Sequence, residues 1–195
     1  RVQTGLVIEL LTRPTIAFTV VIAASGALVW QGVASFLPTF LIEHRDLSAT
    51  MAGLVFSSYF VVQAVTKPVL GALSDTYERD IGIGFSLITS VTGMALFVVG
   101  PGLVGIVAAI SLIGTGLGMA VTVEPRIVDE LSESEQGVGF GLVRTVYLVV
   151  SSLGSVVTGF LADTVGWAVA FLTLSGLLAA IFVVLLVNYT LNLGY

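Results

Sequence analysis

Long apolar segments separated by short polar turns run through almost the whole chain. Each segment has about 20 residues or more, which is enough for an α-helix to cross a hydrocarbon core of about 30 Å. The pattern predicts six transmembrane helices, at residues 15–42, 50–73, 82–100, 103–124, 137–162 and 167–190. Residues 1–14 are predicted to form a polar or amphipathic lead-in, and residues 191–195 a short tail.

Composition places the chain in the class of integral membrane proteins. Of its 195 residues, 56% are hydrophobic and 10% are charged, whereas soluble domains contain about 25% charged residues. With no cysteine and only His44 as histidine, neither a disulfide framework nor a multi-histidine metal site is expected. We expect no catalytic residues, no metal, no cofactor and no enzymatic activity. The net charge of −5 argues against nucleic acid as a partner.

Basic residues predict the orientation. If the six spans alternate, five basic residues fall on the side of the two termini: Arg1, Arg13, Lys67, Arg79 and Arg126. Only Arg45 falls on the other side, and Arg144 lies inside a span. Because positive residues concentrate in cytoplasmic loops, both termini are predicted to be cytoplasmic in a multi-pass protein of the plasma membrane.

Small residues predict which spans pack inside the bundle. Stripes of glycine, serine and threonine mark the fourth and fifth spans, and such stripes let helix backbones approach closely within a bilayer. The third and sixth spans have the fewest strongly polar residues. We therefore expect the fourth and fifth spans inside and the third and sixth against lipid.

One turn is distinguished by its glycine-spaced acid. An apolar segment ends at Gly71-Ala-Leu-Ser-Asp75-Thr76, and this pattern returns as Gly159-Phe-Leu-Ala-Asp163-Thr164 at the end of a later segment. The echo indicates equivalent helix ends in an internally repeated membrane protein.

These residues resemble the Major Facilitator Superfamily of secondary transporters. Its loop signature, G-x-x-x-D-[RK]-x-G-[RK]-[RK], is matched by Gly71 and Asp75, while Thr76 replaces the first basic residue. Arg79 is the only later basic residue, and Glu78 stands where the family often has glycine. The region from 137 to 171 also resembles the fifth-to-sixth helix region of the family. The degenerate signature is more similar to the copy in the second half of the family's fold.

The resemblance implies two inverted three-helix repeats that form the C-terminal half of a twelve-helix transporter. It implies movement of a small solute by alternating access, with or without a coupling ion, against a second six-helix half. Asp75 would then lie at the cytoplasmic face and act in a gate, either with a helix N-terminus or with Arg79 across the turn. The alternative is a solvated turn acid. The first residue is Arg1 and not methionine, so we expect a fragment or a processed product.

Arg144 and Tyr147 are candidates for the substrate pathway. A guanidinium within the membrane costs about 2.5–3.5 kcal/mol on insertion scales, so it needs a partner. Tyr147 lies one turn away on the same side, and the pair is suited to bind an anion or to gate. Alternatively, Arg144 reaches the interface and pairs with Glu124 or Asp129.

Further pathway candidates lie on the first two spans. Gln31, beside Trp30, is predicted near the middle of the first span, where it binds either a solute or another helix. Tyr59 and Gln63 share a face of the second span, and Lys67 continues that face at the expected cytoplasmic edge. Glu124 is interpreted either as a proton-carrying carboxylate or as an acid at a helix end.

Two rival functions fit the same sequence. A half-size protein could act as a homodimer, with its pathway at the dimer interface. A membrane scaffold or assembly factor would transport nothing, and its stability would not respond to a solute.

Overall fold

The computed structural model describes residues 2–100 and 102–195, which are almost entirely helical. Their helices are α1 (Val2–Thr12), α2 (Pro14–Glu43), α3 (Ala49–Thr76), α4 (Arg79–Val99), α5 (Gly102–Gly116), α6 (Ala120–Asp129), α7 (Val138–Val165) and α8 (Trp167–Leu191). Six spans among these residues are long and apolar enough to cross a membrane, with α5 and α6 together forming one of them. The prediction of an all-α protein with six spans is confirmed. Arg1 and Pro101 lie outside the described residues.

The fourth span is broken where a continuous helix was expected. Between α5 and α6, Gly118 N–H donates to the Thr115 carbonyl over 3.3 Å, and Met119 N–H donates to the Gly116 carbonyl over 3.2 Å. These are tight i to i−3 bonds, which often mark hinges inside helices. Glycines at 114, 116 and 118 weaken the regular helix here, and α6 then continues to Asp129.

Helix packing follows two three-helix repeats. The first repeat contains α2, α3 and α4, and the second contains α5 with α6, then α7 and α8. The first helix of each repeat packs along the second helix of the other, as α2 with α7 and α5 with α3, while the third helices, α4 and α8, pack on each other. Because each repeat has three spans, the second repeat runs through the membrane in the opposite direction.

Glycines allow the closest helix contacts. A Cβ built on Gly154 of α7 would overlap the Leu28 carbonyl of α2, and one built on Gly116 of α5 would lie 2.5 Å from the Ser86 carbonyl of α4. Neither position accepts a larger residue without movement of the backbone. Close approach at small residues is how membrane helices gain packing where lipid supplies no hydrophobic drive.

Burial within the bundle differs from the expectation. Half of the apolar stretch of α4 is buried (50%), although the third span was expected to face lipid. By contrast, only 22% of the corresponding stretch is buried in α3 and in α7. The small residues of α7 face α2 on one side only, and its opposite face is uncovered. The two least covered helices are therefore the second of each repeat.

The bundle has two sides, which we call the terminal side and the opposite side. The terminal side carries α1, the α3–α4 turn, the α6–α7 connection and the end of α8. The opposite side carries the turns between α2 and α3, α4 and α5, and α7 and α8.

Candidate functional site

A cavity of about 280 Å³ lies among α2, α3, the break between α5 and α6, and α7. We call it the central cavity. Its polar and aromatic lining consists of Trp30, Lys67, Glu124, Arg144 and Tyr147. Most of the remaining wall is apolar and comes from Ala23, Ala27, Leu117, Met119, Val123 and Leu148. A mostly apolar cavity with a few convergent polar groups is the usual form of a small-molecule site.

Glu124 of α6 holds the charged wall of the cavity together. The Tyr147 hydroxyl donates to Glu124 Oε1 over 2.6 Å, and Arg144 Nη2 lies 3.5 Å from the same oxygen. The guanidinium carbon of Arg144 also lies 5.9 Å from the centroid of the Phe140 ring, which is a cation–π distance. A carboxylate inside the bundle is thereby paired with a cation and a hydroxyl donor. Of the partners that the sequence left open for Arg144, the structure places Glu124 beside it.

Lys67 enters the cavity wall from α3. A Cβ built on Gly118 would lie 3.3 Å from Lys67 Cγ, so the glycine at the break leaves room for the lysine stem. Lys67 is eight residues from Asp75, which corresponds to about 12 Å along the helix axis. None of the ion pairs among the described residues includes Lys67. Lys67 thus lines the cavity, and its place at the membrane edge stays a prediction.

The break between α5 and α6 also shapes the apolar end of the cavity. A Cβ built on Gly26 of α2 would lie 2.5 Å from Met119 Sδ, so this glycine lets the methionine pack directly on the α2 backbone. Trp30, one turn further along α2, is half-buried and lines the same cavity. The sequence predicted Trp30 as a pathway residue, but it gave no signal for Met119.

The other three predicted pathway residues lie in helix contacts. Gln31 Nε2 donates to Ser155 Oγ of α7 over 3.4 Å, which is the helix-to-helix alternative considered for this residue. Tyr59 and Gln63 are buried on α3 at 0% and 4% exposure, and neither lines the central cavity. The six predicted residues are thus divided, with Trp30, Arg144 and Tyr147 together at the cavity.

The predicted gating residues lie on the terminal side. Arg79 forms an ion pair with Asp75 across the α3–α4 turn, and its Nε donates to Asp129 Oδ2 at the end of α6 over 2.9 Å. A Cβ built on Gly71 meets no atom of the described residues within 4 Å. The contact to Asp129 joins the turn of the first repeat to the broken span of the second.

A second ion pair strengthens this junction. Arg126 Nη1 of α6 lies 2.6 Å from Asp80 Oδ1 of α4, and both side chains are largely covered, at 11% and 18% exposure. The Arg126 guanidinium also lies 5.5 Å from the ring centroid of Phe18. From the sequence, Arg126 was counted only as a basic residue that predicts orientation. The sequence feature that could have pointed to this pair is an arginine directly after Pro125, near the end of an apolar span, where a cation needs a partner.

On the opposite side, side chains tie the turns together. Arg45 Nη1 donates to the Val98 carbonyl over 3.2 Å, at the end of α4, where such cations satisfy free carbonyls. Trp167 Nε1 donates to Glu43 Oε2 over 2.9 Å. Hydrogen bonds thus join the turns of this side, whereas the central cavity lies nearer to the terminal side.

Comparisons with known proteins agree on one family. A family model described as Major Facilitator Superfamily matches residues 19–192. Riboflavin transporter RibZ of Clostridioides difficile (strain 630) is 27% identical over 129 residues, covering 64% of this chain and 28% of that protein. Multidrug resistance protein MdtG of Yersinia enterocolitica is 28% identical over 157 residues, covering 76% and 37%.

The chain is also similar to a vacuolar transporter and to a transporter of solved structure. The vacuolar membrane amino acid uptake transporter fnx2 of Schizosaccharomyces pombe is 31% identical over 144 residues, covering 71% of this chain and 24% of that protein. The crystal structure of the POT family transporter PepTSo superimposes with a TM-score of 0.74 at 19% identity, covering 90% of this chain and 37% of that chain. The chain therefore spans well under half the length of these relatives.

Proposed function

The chain belongs to the Major Facilitator Superfamily, and from that premise we propose that it moves a small solute by alternating access as one six-helix half of a transporter. The observation that carries the proposal is the central cavity, with its charged wall at the break of the fourth span. Broken helices that meet near a solute site are a recurrent feature of secondary transporters. The proposal includes no chemical change of the solute.

A second six-helix bundle would complete the pathway in this proposal. The uncovered helices α3 and α7 would face that bundle, and Gly71 would allow one of its helices to approach the α3–α4 turn. Asp75 and Arg79 would then act as a gate on the terminal side, which the basic residues assign to the cytoplasm. We propose the C-terminal half as the identity of this bundle and the plasma membrane as its location.

The test is sidedness of access to the cavity in proteoliposomes that contain the full gene product. A cysteine introduced as Ala27→Cys, at the cavity wall, should react with a membrane-impermeant maleimide from one side of the membrane in the state that is open to that side. It should react from the other side in the other state. Gly176→Cys on α8, where a Cβ would meet no atom of the described residues within 4 Å, is the lipid-facing control and should react from neither side. Reaction of Ala27→Cys from one side only under every condition would contradict alternating access.

The two rival functions give different outcomes in companion measurements. A gene product whose native mass corresponds to two identical six-helix chains would favour the homodimer. A scaffold would show no uptake of any solute in a broad panel and no thermal stabilisation by any of them.

A further inference from the structure

The central cavity carries an unbalanced positive charge. Its charged lining comprises Lys67, Glu124 and Arg144. Glu124 is already paired, since it accepts from Tyr147 over 2.6 Å and lies 3.5 Å from Arg144. Lys67 is left with no ion pair among the described residues. With all three groups ionised, the wall has a formal charge of one positive unit.

We propose that the central cavity binds a small organic monoanion. The carboxylate or sulfonate of the ligand would be held by the Lys67 ammonium, and its apolar body would lie against Trp30 and Leu117. This inference rests on the proposed function only in taking the bound anion to be the transported solute. Binding itself does not depend on transport.

The charge of the wall decides which solutes can enter. Lys67 is partly covered by the bundle, so an anion beside its ammonium gains an attraction that a neutral molecule lacks. A cationic solute would meet a like charge, which disfavours binding. Glu124 is a poor partner for such a cation, because its carboxylate already has Arg144 and Tyr147 as neighbours.

Size and shape narrow the ligand further. The volume of about 280 Å³ lies just below the range of about 300–1,000 Å³ that is usual for small-molecule sites. A molecule of one or two rings with a single acidic group would fill it. The Trp30 side chain and the aliphatic wall suit an aromatic body.

The test compares three isosteric probes on the full gene product in nanodiscs, by calorimetric titration. The probes are 2-naphthoate, the neutral 2-naphthamide and the cationic 2-naphthylmethylammonium. We expect 2-naphthoate to bind at least about tenfold more tightly than the amide, and the ammonium to bind most weakly. Lys67→Met, which keeps an unbranched stem of similar size, should weaken 2-naphthoate at least about tenfold and leave the amide unchanged. Lys67→Arg should retain the preference for the anion.

Three results would overturn the proposal. These are equal or tighter binding of the ammonium, an unchanged affinity of Lys67→Met for 2-naphthoate, and displacement of 2-naphthoate by chloride at equal concentration. The last result would mean that the apolar wall contributes nothing. Uptake of 2-naphthoate into proteoliposomes is measured separately. Binding that depends on Lys67 without uptake would leave the anion site standing and contradict transport, whereas uptake of other solutes without 2-naphthoate binding would do the reverse.

Discussion

Tyr147 and Glu124 form the shortest side-chain contact of the central cavity, at 2.6 Å. A hydrogen bond to a charged group contributes about 1.5–3 kcal/mol to stability. Tyr147→Phe removes that bond and leaves the carboxylate with only the longer contact to Arg144. We expect an apparent melting temperature lower by several degrees in detergent, since each kcal/mol shifts a protein of this size by about 2–4 °C.

Tyr189→Phe is the matched control for Tyr147→Phe. Tyr189 lies on α8 with an exposed side chain (45%), and its hydroxyl donates no hydrogen bond among the described residues. The Tyr189→Phe variant should have the same apparent melting temperature as the unaltered protein. In a Glu124→Gln background the cost of Tyr147→Phe should shrink, because the acceptor is no longer charged. An equal cost in both backgrounds would show that the effect of removing the hydroxyl does not depend on the charge of Glu124.

At the residue scale, the sequence predicted part of this site. A charged residue inside an apolar segment is conspicuous in the sequence, so Arg144 and its neighbour Tyr147 could be identified as candidate site residues from spacing alone. The choice of Glu124 as partner needed the break in the fourth span, which decides where α6 places its side chains. Lys67 was expected at the membrane edge from its place towards the end of the second span. Its room in the cavity wall depends on Gly118, a contact between different helices that no local pattern records.

Among the helices, the contact between α2 and α7 depends on Gly154. A methyl group there would overlap the Leu28 carbonyl, and overpacking of this kind costs about 1–3 kcal/mol. Gly154→Ala should therefore lower the apparent melting temperature measurably. Gly141→Ala, on the same helix, is the matched control because its Cβ would meet no atom of the described residues within 4 Å. Equal behaviour of the two variants would refute the close approach of α2 and α7.

Arg13, between α1 and α2, ties this junction to the α6–α7 connection by a pH-sensitive contact. Arg13 Nη2 donates to Glu135 Oε1 over 2.7 Å, and Ser132 donates to Glu135 Oε2 from its N–H and its hydroxyl, over 3.0 and 2.8 Å. The Arg13 hydrogen bond, followed by those from Ser132, lowers the pKa of Glu135 from about 4.5 to about 2. Because the pKa of Glu135 is lower in the folded state, the contact holds the α1–α2 junction against the α6–α7 connection above about pH 4.5. This stabilisation is lost as the pH falls towards 2.

Distances between spin labels test this contact. Labels at Gly5→Cys and Glu133→Cys should give a narrow distance distribution at neutral pH that broadens on acidification through that window. Glu135→Gln should be broad already at neutral pH. A second label pair, His44→Cys and Leu103→Cys on the opposite side, reports whether the bundle itself remains intact. A distribution that is insensitive to both pH and Glu135→Gln would contradict the proposed tether.

The six spans and their helical type could be predicted from hydropathy, because each span must satisfy its own backbone in the bilayer. The break between α5 and α6 could not be predicted with the same rule, since the fourth span stays apolar across it. Glycines at 114, 116 and 118 were its only local sign. The burial of each helix within the bundle could not be predicted from hydropathy either. A lipid-facing surface and a helix-facing surface are both apolar, so α4 and α7 could be ranked only from their contacts.

In the molecule as a whole, the second helix of each repeat is left uncovered. Only 22% of the apolar stretch is buried in α3 and in α7, and both present exposed small polar residues, such as Ser57 and Ser152. Both hydroxyls donate to carbonyls of their own helices, and small residues on a helix surface favour contact with another helix. Together with the length of the relatives, this supports a second bundle against the same two helices.

Photo-crosslinking within the membrane tests this arrangement in the full gene product. A benzoylphenylalanine placed at Ser57 of α3 or at Ser152 of α7 should form adducts with peptides of a second helical bundle, identified by mass spectrometry. The same residue at Leu172 of α8, which is exposed (44%) on a helix expected against lipid, should form lipid adducts. Adducts with peptides of an identical chain would establish the homodimer, and adducts with another part of the same polypeptide would establish the two-half transporter. If Ser57 and Ser152 yield only lipid adducts, as Leu172 does, then no second bundle covers α3 and α7, and the central cavity must work within a single six-helix body.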